Sequence, residues 1–330
     1  MNLPILVTGG AGYIGSFVCK TLKKAGFSPI TFDNLSTGHQ ENVRWGPFVK
    51  GDLLDIDQLK EVFSIYKPQA VMHFAASALV IESVLNPAKY YENNVQSSVH
   101  LLEVMKEFGV KNIVFSSTCA TYGMPKAIPL TEDHPQSPIN PYGKSKKMVE
   151  MILEDYQVFG IQHAILRYFN AAGASDDGII GEHHENETHL IPLLIETALG
   201  KRKSFTVYGA DFPTKDGTAI RDFIHVEDLA IAHIKALLYV MQKKQSLTLN
   251  LGSGTGCSVK EMIVAIEQYA DIKLPITYAS RRTGEPSTLV CDKNKAEKYL
   301  NFKCQHSSIN NIIETAYNWH QNLLKRKLVI

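Results

Sequence analysis

The sequence predicts a doubly wound α/β protein, and three observations carry the prediction. Short apolar runs alternate with helical patterns through the first half of the chain. Most of those runs are apolar on both faces, as parallel strands covered by helices on either side must be. A glycine cluster follows the first run directly, where a strand would turn into a helix. Repeated strand–helix alternation builds a mostly parallel sheet between two helical layers.

Taken in order, the expected strands are Pro4–Thr8, Pro29–Asp33, Phe48–Gly51, Ala70–Ala75, Asn112–Ser117 and Gln162–Phe169. Between the third and fourth lies a helix over Asp55–Tyr66. Leu59, Val62, Phe63 and Tyr66 recur there at i, i+3, i+4 and i+7, and Pro68 follows the end. Long helices are expected over Lys89–Phe108 and Tyr142–Phe159; the second is introduced by Pro141, which suits a first helical turn. After about Asn170 the texture changes. "AAGASDDGIIGEHHENETH" is polar, rich in glycine and acid and without periodicity, so it reads as a loop or domain crossing. Helices near Leu190–Leu199, Glu227–Gln242 and Val259–Tyr269 then mix with short strands near Phe205–Tyr208, Thr248–Leu251 and Pro275–Tyr278.

This pattern divides the chain into a nucleotide-binding domain, 1–175, and a smaller C-terminal α/β lobe, 176–330. The stretch around 220–235 is expected to pack back on the first domain. A length of 330 residues is ample for that organisation. The net charge of +1 gives no general reason to bind nucleic acid or an acidic membrane surface, so an anionic ligand must be met by a local site. No apolar run reaches the roughly 18 residues of a membrane span. Five scattered cysteines without a C-x-x-C argue against a disulfide framework or a zinc site, and no metal is expected. The N-terminus reads as a first strand and not a signal peptide, so the expected setting is the cytoplasm.

"ILVTGGAGYIGSFVCKTL" places Gly9, Gly12 and Gly15 at three-residue spacing between a strand and a helix. Glycines there let the backbone turn sharply and approach a pyrophosphate, whose charge suits a helix N-terminus. The second strand ends in Asp33-Asn34, at the right distance to bind an adenosine ribose. A carboxylate at that point repels a 2′-phosphate, which favours NAD over NADP. Asp52 and Leu53 end the third strand, where an adenine edge would lie. "HFAA" ends the fourth, and Phe74, Ala75 and Ala76 leave room for a dinucleotide, with His73 read as a packed strand residue. The domain is therefore of Rossmann type.

The fifth strand runs into Ser116, Ser117 and Thr118, hydroxyls at the carboxyl end of a strand, where α/β sheets hold ligands. Tyr-x-x-x-Lys occurs five times: Tyr122/Lys126, Tyr142/Lys146, Tyr239/Lys243, Tyr269/Lys273 and Tyr299/Lys303. The first encloses Gly123 and Pro125 and is a turn. The last three lie beyond the cofactor region. Only Tyr142/Lys146 begins a helix and follows both the glycine turn and the hydroxyl-bearing strand end.

These features together resemble the extended short-chain dehydrogenase/reductase superfamily. "RYFNAAGA", "ETHLIPL", "DGTAIRDFIHVEDLA", "NLGSGTGCSV" and "RRTGEP" narrow the resemblance, over nearly the whole chain, to the UDP-glucose 4-epimerase family. The resemblance implies an enzyme that interconverts UDP-glucose and UDP-galactose with tightly bound NAD. It implies that Tyr142 takes the proton of the sugar 4-hydroxyl while hydride leaves C4, giving a 4-keto sugar that turns over before hydride returns. Thr118 would hold the 4-oxygen, and Lys146 would bind the nicotinamide ribose and, as a fixed cation with the positive nicotinamide of NAD⁺ nearby, lower the Tyr142 pKa. A free tyrosine titrates near 10, so a base useful near pH 7 needs a shift of roughly 3 units. The same matching adds Tyr13, Ile14, Asn93, Ser116, Tyr142 and Tyr168 to the cofactor contacts. It assigns Arg221 and Arg282 to the diphosphate, Asn170, His189 and Leu190 to the diphosphate or sugar, Tyr208 to the uridine pocket and Glu285 to its ribose. A homodimer through the two long helices is implied as well.

The sequence departs from the family's pattern at two places. Ala78 stands, after Ser77, where some members carry a lysine near the cofactor. Leu289 stands at the position that influences whether N-acetylated sugars fit. Dehydratases of the superfamily carry an Asp-Glu pair after the threonine, and decarboxylases a glutamate; Cys119-Ala120 offers neither. A 4-epimerase of N-acetylhexosamine, pentose or uronate UDP-sugars is the alternative, because its chemistry is identical. A non-catalytic NAD-binding regulator is disfavoured, since Thr118, Tyr142 and Lys146 are all present.

Overall fold

The computed structural model of the chain describes residues 3–327. Strands β1 (Pro4–Thr8), β2 (Ser28–Asp33), β3 (Phe48–Lys50), β4 (Ala70–His73), β5 (Asn112–Thr118) and β6 (Gln162–Tyr168) lie within a few residues of their expected bounds. Next come β7 (Asn170–Ala172), β8 (Phe205–Tyr208), β9 (Ile220–His225), β10 (Leu247–Leu251), β11 (Gly256–Ser258), β12 (Ile276–Ala279) and β13 (Thr288–Leu289). The main sheet runs β10-β6-β5-β4-β1-β2-β3, and every pairing in it is parallel. Sequence order groups Thr248–Leu251 with the C-terminal half; the structure sets β10 beside β6 as the sheet's edge strand.

Two apolar cores sandwich this sheet. Along β1, Ile5 and Val7 point to one core while Leu6 points to the other, the period-2 alternation of a strand. The first core is covered by helices Tyr13–Lys24 and Val226–Lys243, through residues such as Phe17, Leu22, Leu229 and Leu237. The second is covered by Ile56–Tyr66, Ser97–Glu107 and Pro141–Asp155, through Leu59, Phe63, Leu102 and Val149. The helix at Ile56 starts where Asp55 accepts a hydrogen bond from the Gln58 amide, and ends at Lys67 in the left-handed region before Pro68.

A third core belongs to the C-terminal segments. Ile191, Leu194, Val207, Phe223, Met262, Ile266 and Ile312 pack together beneath a sheet of β11, β9 and β13, with β7 also paired to β9. The stretch read as wholly irregular after Asn170 therefore begins with a three-residue strand. Parallel pairing with Phe223–His225 on β9 gives so short an element its partner. The helix expected over Lys89–Phe108 is not uniform: Pro87–Tyr90 passes into a π-helical turn at Tyr91–Gln96 and resumes as Ser97–Glu107. Asn94 holds the wide turn, accepting from the Ser77 amide at 2.8 Å and donating to the Ser145 hydroxyl at 3.0 Å. Such bulges concentrate at functional sites.

Candidate active site

The carboxyl ends of β1 through β6 open into one cavity of about 1730 Å³, which continues between the main sheet and the C-terminal segments. That is larger than the roughly 300–1,000 Å³ of a drug-sized pocket, and suits two nucleotide-sized ligands. Each predicted cofactor and substrate residue lines it, from Gly9 and Asp33 at one end to Arg221, Arg282 and Glu285 at the other.

At the β1 end, Gly9 has φ +72°, and a Cβ there would lie 2.5 Å from the Ala75 amide nitrogen. A Cβ on Gly15 would lie 2.2 Å from the Gly9 carbonyl oxygen. Only glycine fits either position. Gly12 caps the helix Tyr13–Lys24 with no side chain bound to its first-turn amides among the described residues. Those donors and the helix dipole make an anion cradle lined by Gly12, Tyr13, Ile14 and Gly15. Tyr13 is turned across the cavity and donates to the Gly173 carbonyl at 2.6 Å.

Asp33 is buried and fixed by two backbone donors, Ala11 at 3.0 Å and Leu35 at 2.8 Å. Burial raises its pKa, and the two amides oppose that rise. A carboxylate has roughly four acceptor sites, so capacity is left for a ribose diol. Asn34 donates to Asp52 at 2.9 Å, joining the ends of β2 and β3. Leu53 is buried beside them, an apolar surface for a base. Farther along, Asn93 on the π-helical turn reaches Ser77 at 3.1 Å, and Phe74 packs its ring 4.9 Å from that of His233. His73 is a packed residue, bonded to Thr8 at 2.7 Å and Ser98 at 3.0 Å, with its pKa pushed by burial down to about 3.

The chemical residues meet where β5 ends. Asn140 accepts from the Gly143 amide at 2.8 Å, so the helix Pro141–Asp155 starts at that point with Pro141 in its first turn. This puts Tyr142 against Thr118, whose hydroxyl forms a hydrogen bond that favours the tyrosinate. Tyr90 packs edge-on against the Tyr142 ring at 6.4 Å. Lys146, one turn on, donates to the Ser116 carbonyl at 2.7 Å, while the Ser116 hydroxyl is bonded to Tyr168.

From the protein's own groups alone, Tyr142 and Lys146 are both shifted toward their neutral forms. Burial pushes Tyr142 up to about 12 against the Thr118 hydrogen bond. Burial likewise pushes Lys146 down to about 7, partly opposed by Glu150. Lowering the phenol calls for a further positive charge in the cavity, the one expected from the nicotinamide ring of NAD⁺.

In the C-terminal part of the cavity, Arg221 on β9 pairs with Glu285 at 2.9 Å. The Arg282 guanidinium lies 4.1 Å from the centre of the Tyr208 ring. Asn170 donates to the Asp222 carbonyl at 2.8 Å. His189 N-caps the helix beginning at Leu190, and its Nδ1 lies 2.7 Å from Glu182. Residues that sequence reasoning passed over also line the space, among them Cys119, Phe169, Glu182 and Phe223. Glu182 and Phe223 lie in stretches with no strong periodicity, so only the fold brings them here.

The NAD dependent epimerase/dehydratase family model matches residues 5–252. The chain belongs to that family. Within this epimerase/dehydratase family, it is 50% identical to the UDP-glucose 4-epimerase of Rhizobium meliloti, over 97% of each chain. The crystal structure of UDP-glucose 4-epimerase from Brucella ovis in complex with NAD superposes with a TM-score of 0.94 at 47% identity, covering 96% of this chain and 97% of that one. The enzyme from Bifidobacterium longum, solved in complex with NAD⁺ and UDP, gives 0.91 at 37% identity, over 97% and 98%. The doubly wound fold and the glycine cradle are thus those of an NAD-dependent epimerase/dehydratase, and NAD is its cofactor. Among the described residues, no helix is long and apolar enough to cross a membrane.

Proposed function

We propose that this chain is an NAD-dependent UDP-glucose 4-epimerase that interconverts UDP-glucose and UDP-galactose. One observation carries the reading: a tyrosine and a threonine hydroxyl meet at the end of β5, between a glycine cradle and a pair of arginines, with no carboxylate at Cys119 or Ala120. That is an acid–base pair beside a dinucleotide site without the acid that elimination or decarboxylation needs.

NAD, when bound, supplies the reversible hydride acceptor and a positive charge. Gly9, Gly12, Tyr13, Ile14 and Gly15 hold its pyrophosphate, Asp33 and Asn34 its adenosine ribose, and Asp52 and Leu53 its adenine. Phe74, Ala75, Ala76, Asn93, Ser116, Lys146 and Tyr168 line its other half. Tyr142 accepts the proton of the sugar 4-hydroxyl and returns it, and Thr118 holds that oxygen in both directions. Lys146 keeps the Ser116 carbonyl and the ribose in register. On the substrate side Arg221 and Arg282 bind the diphosphate, as arginine geometry favours. Asn170, His189 and Leu190 border the sugar and diphosphate. Tyr208 borders the uracil, and Glu285 takes the uridine ribose. Glu285 Oε2 supports this last role, because it is buried with no hydrogen-bond partner among the described residues. In this scheme 1–175 hold the cofactor and carry the chemical groups, and 176–330 provide most of the substrate grip.

The test is direct. Purified protein carrying its NAD converts UDP-galactose to UDP-glucose, and the reverse, without added cofactor. UDP-GlcNAc, UDP-xylose and UDP-glucuronate are run in parallel, with Leu289 in the cavity lining as the residue that bears on an acetamido group. No conversion of UDP-galactose overturns the reading; faster turnover of another sugar reassigns its substrate.

The same reading includes a cytoplasmic homodimer. All five cysteines are free, as in a reducing compartment. Met148, Met151, Val158 and Phe159 are exposed on and just after the helix Pro141–Asp155, an apolar strip that a second copy would cover. Light scattering is expected to give twice the chain mass, and a monomer at micromolar concentration contradicts it.

A further inference from the structure

Segment 181–189, "GEHHENETH", reads in sequence as part of a polar loop. In the fold it closes on itself. Glu182, His184, Glu187 and His189 each turn one donor atom inward, and the four atoms lie within 4.8 Å of one another. Two of the donors are carboxylates on nearly buried side chains, 7% and 4% exposed, and the other two are imidazole Nδ1 atoms. The separations are 2.7 Å for His189 Nδ1–Glu182 Oε1, 3.2 Å for His184 Nδ1–Glu187 Oε2 and 3.6 Å for His184 Nδ1–Glu182 Oε1, while His189 Nδ1 lies 3.2 Å from the other Glu187 oxygen, Oε1. Bonds of about 2.0–2.2 Å in a tetrahedral site put ligand atoms about 3.3–3.5 Å apart. Both separations from His184 are within a few tenths of an ångström of that edge.

The surrounding groups hold the donors in place. Glu187 Oε1 accepts from the Thr188 and His189 amides, both at 2.8 Å, which leaves Oε2 toward His184. The Trp319 indole donates to the Glu182 carbonyl at 2.8 Å and ties the segment to the C-terminal helix. The two imidazoles meet edge to face at 5.3 Å, so neither blocks the other's Nδ1. Outer contacts of this kind orient metal ligands.

We propose that Glu182, His184, Glu187 and His189 form a binding site for one divalent transition-metal cation of the zinc class. Two imidazoles and two carboxylates are the donor set that such ions favour over magnesium or calcium, which take all-oxygen shells. All four residues line the cavity just ahead of the helix Leu190–Ala198, so the cation would brace the start of that helix against the cavity wall. The site is argued from its own donors and does not depend on which sugar nucleotide is turned over.

The test uses full-length, untagged protein with its NAD, stripped by chelator and titrated with Co²⁺. One equivalent of Co²⁺ is expected per chain, with the intense visible absorption of a tetrahedral centre, displaced by Zn²⁺. His184→Ala and Glu187→Gln are each expected to weaken uptake by about tenfold or more. A neighbouring group, His39, Glu41 and His183, offers three donors and serves as the control. Uptake lost in His39→Ala but kept in His184→Ala overturns the assignment, as does the absence of stoichiometric uptake. Thermal melting of the unaltered protein gives a reading independent of variant folding. Saturating Zn²⁺ is expected to raise its Tm, as a ligand of the native state must, and an unmoved Tm contradicts the site.

Discussion

Replacing Tyr142 with Phe is expected to lower kcat by about 10²–10⁴-fold, the range that a positioned acid–base group contributes. That corresponds to about 3–5 kcal/mol of lost transition-state stabilisation. The protein should keep its NAD and its KM, because the deleted hydroxyl is bonded to Thr118 and the change leaves the glycine cradle at Gly9–Gly15 intact. The pH profile separates this role from a structural one. Burial holds the phenol proton on, with the pKa up to about 12 from the protein's own groups. The active form is the deprotonated one, so the wild-type rate falls as pH falls and climbs toward alkaline pH. The residual rate of the variant should lack that limb. A loss in KM or in NAD content with kcat unchanged would remove Tyr142 from the chemistry.

Glu150→Ala is expected to destabilise the fold by about 3–5 kcal/mol, read as a lower denaturant midpoint. Glu150 is buried on the helix that carries Tyr142 and Lys146. It accepts from Arg167 Nε at 3.0 Å and Nη2 at 2.7 Å, from Gln136 at 2.7 Å and from the Ser117 hydroxyl. The network joins that helix to β5 and β6. Removing the carboxylate strands a guanidinium that is itself buried, and an uncompensated buried charge is what makes such losses large. Glu150→Met with Arg167→Met should recover much of the stability, since a buried ion pair often breaks even against apolar residues of similar volume. If Glu150→Ala alone leaves the midpoint unchanged, the pair does not hold the two layers together.

Much of this molecule was legible in its residues because the signals are local. Two-sided apolar runs need no distant partner to be read, and β1, β2, β4, β5 and β6 fall within a few residues of their expected bounds. The helix start at Pro141 was legible for the same reason, with Asn140 supplying the cap. The short strands β7, β11 and β13 were not. Two or three residues carry no period, and only pairing to β9 makes them strands. The π-helical turn at Tyr91–Gln96 depends on Asn94 meeting Ser77 and Ser145, at separations of 17 and 51 residues.

The site divides the same way. Gly9, Gly15, Asp33, Tyr142 and Lys146 carry spacing that states their chemistry, and all line the cavity. Lys146 shows the limit of that reading. Its spacing from Tyr142 suggests a cation beside a phenol, yet burial drives its pKa down to about 7 and its ammonium is committed to the Ser116 carbonyl. Desolvation is a property of the packed protein and leaves no mark in a motif. The histidines of 181–189 were read as loop for a related reason: four donors converge there only because the chain folds back.

The central claim is that the hydrogen removed from the sugar's C4 is the hydrogen returned to it. UDP-glucose deuterated at C4, incubated with the protein in ordinary water, tests this most directly. The account predicts UDP-galactose that retains its deuterium at C4 through many turnovers, with no protium entering from solvent. Washout of the label into water at the rate of epimerisation would contradict it, because inversion would then proceed by proton exchange at carbon and not by hydride transfer.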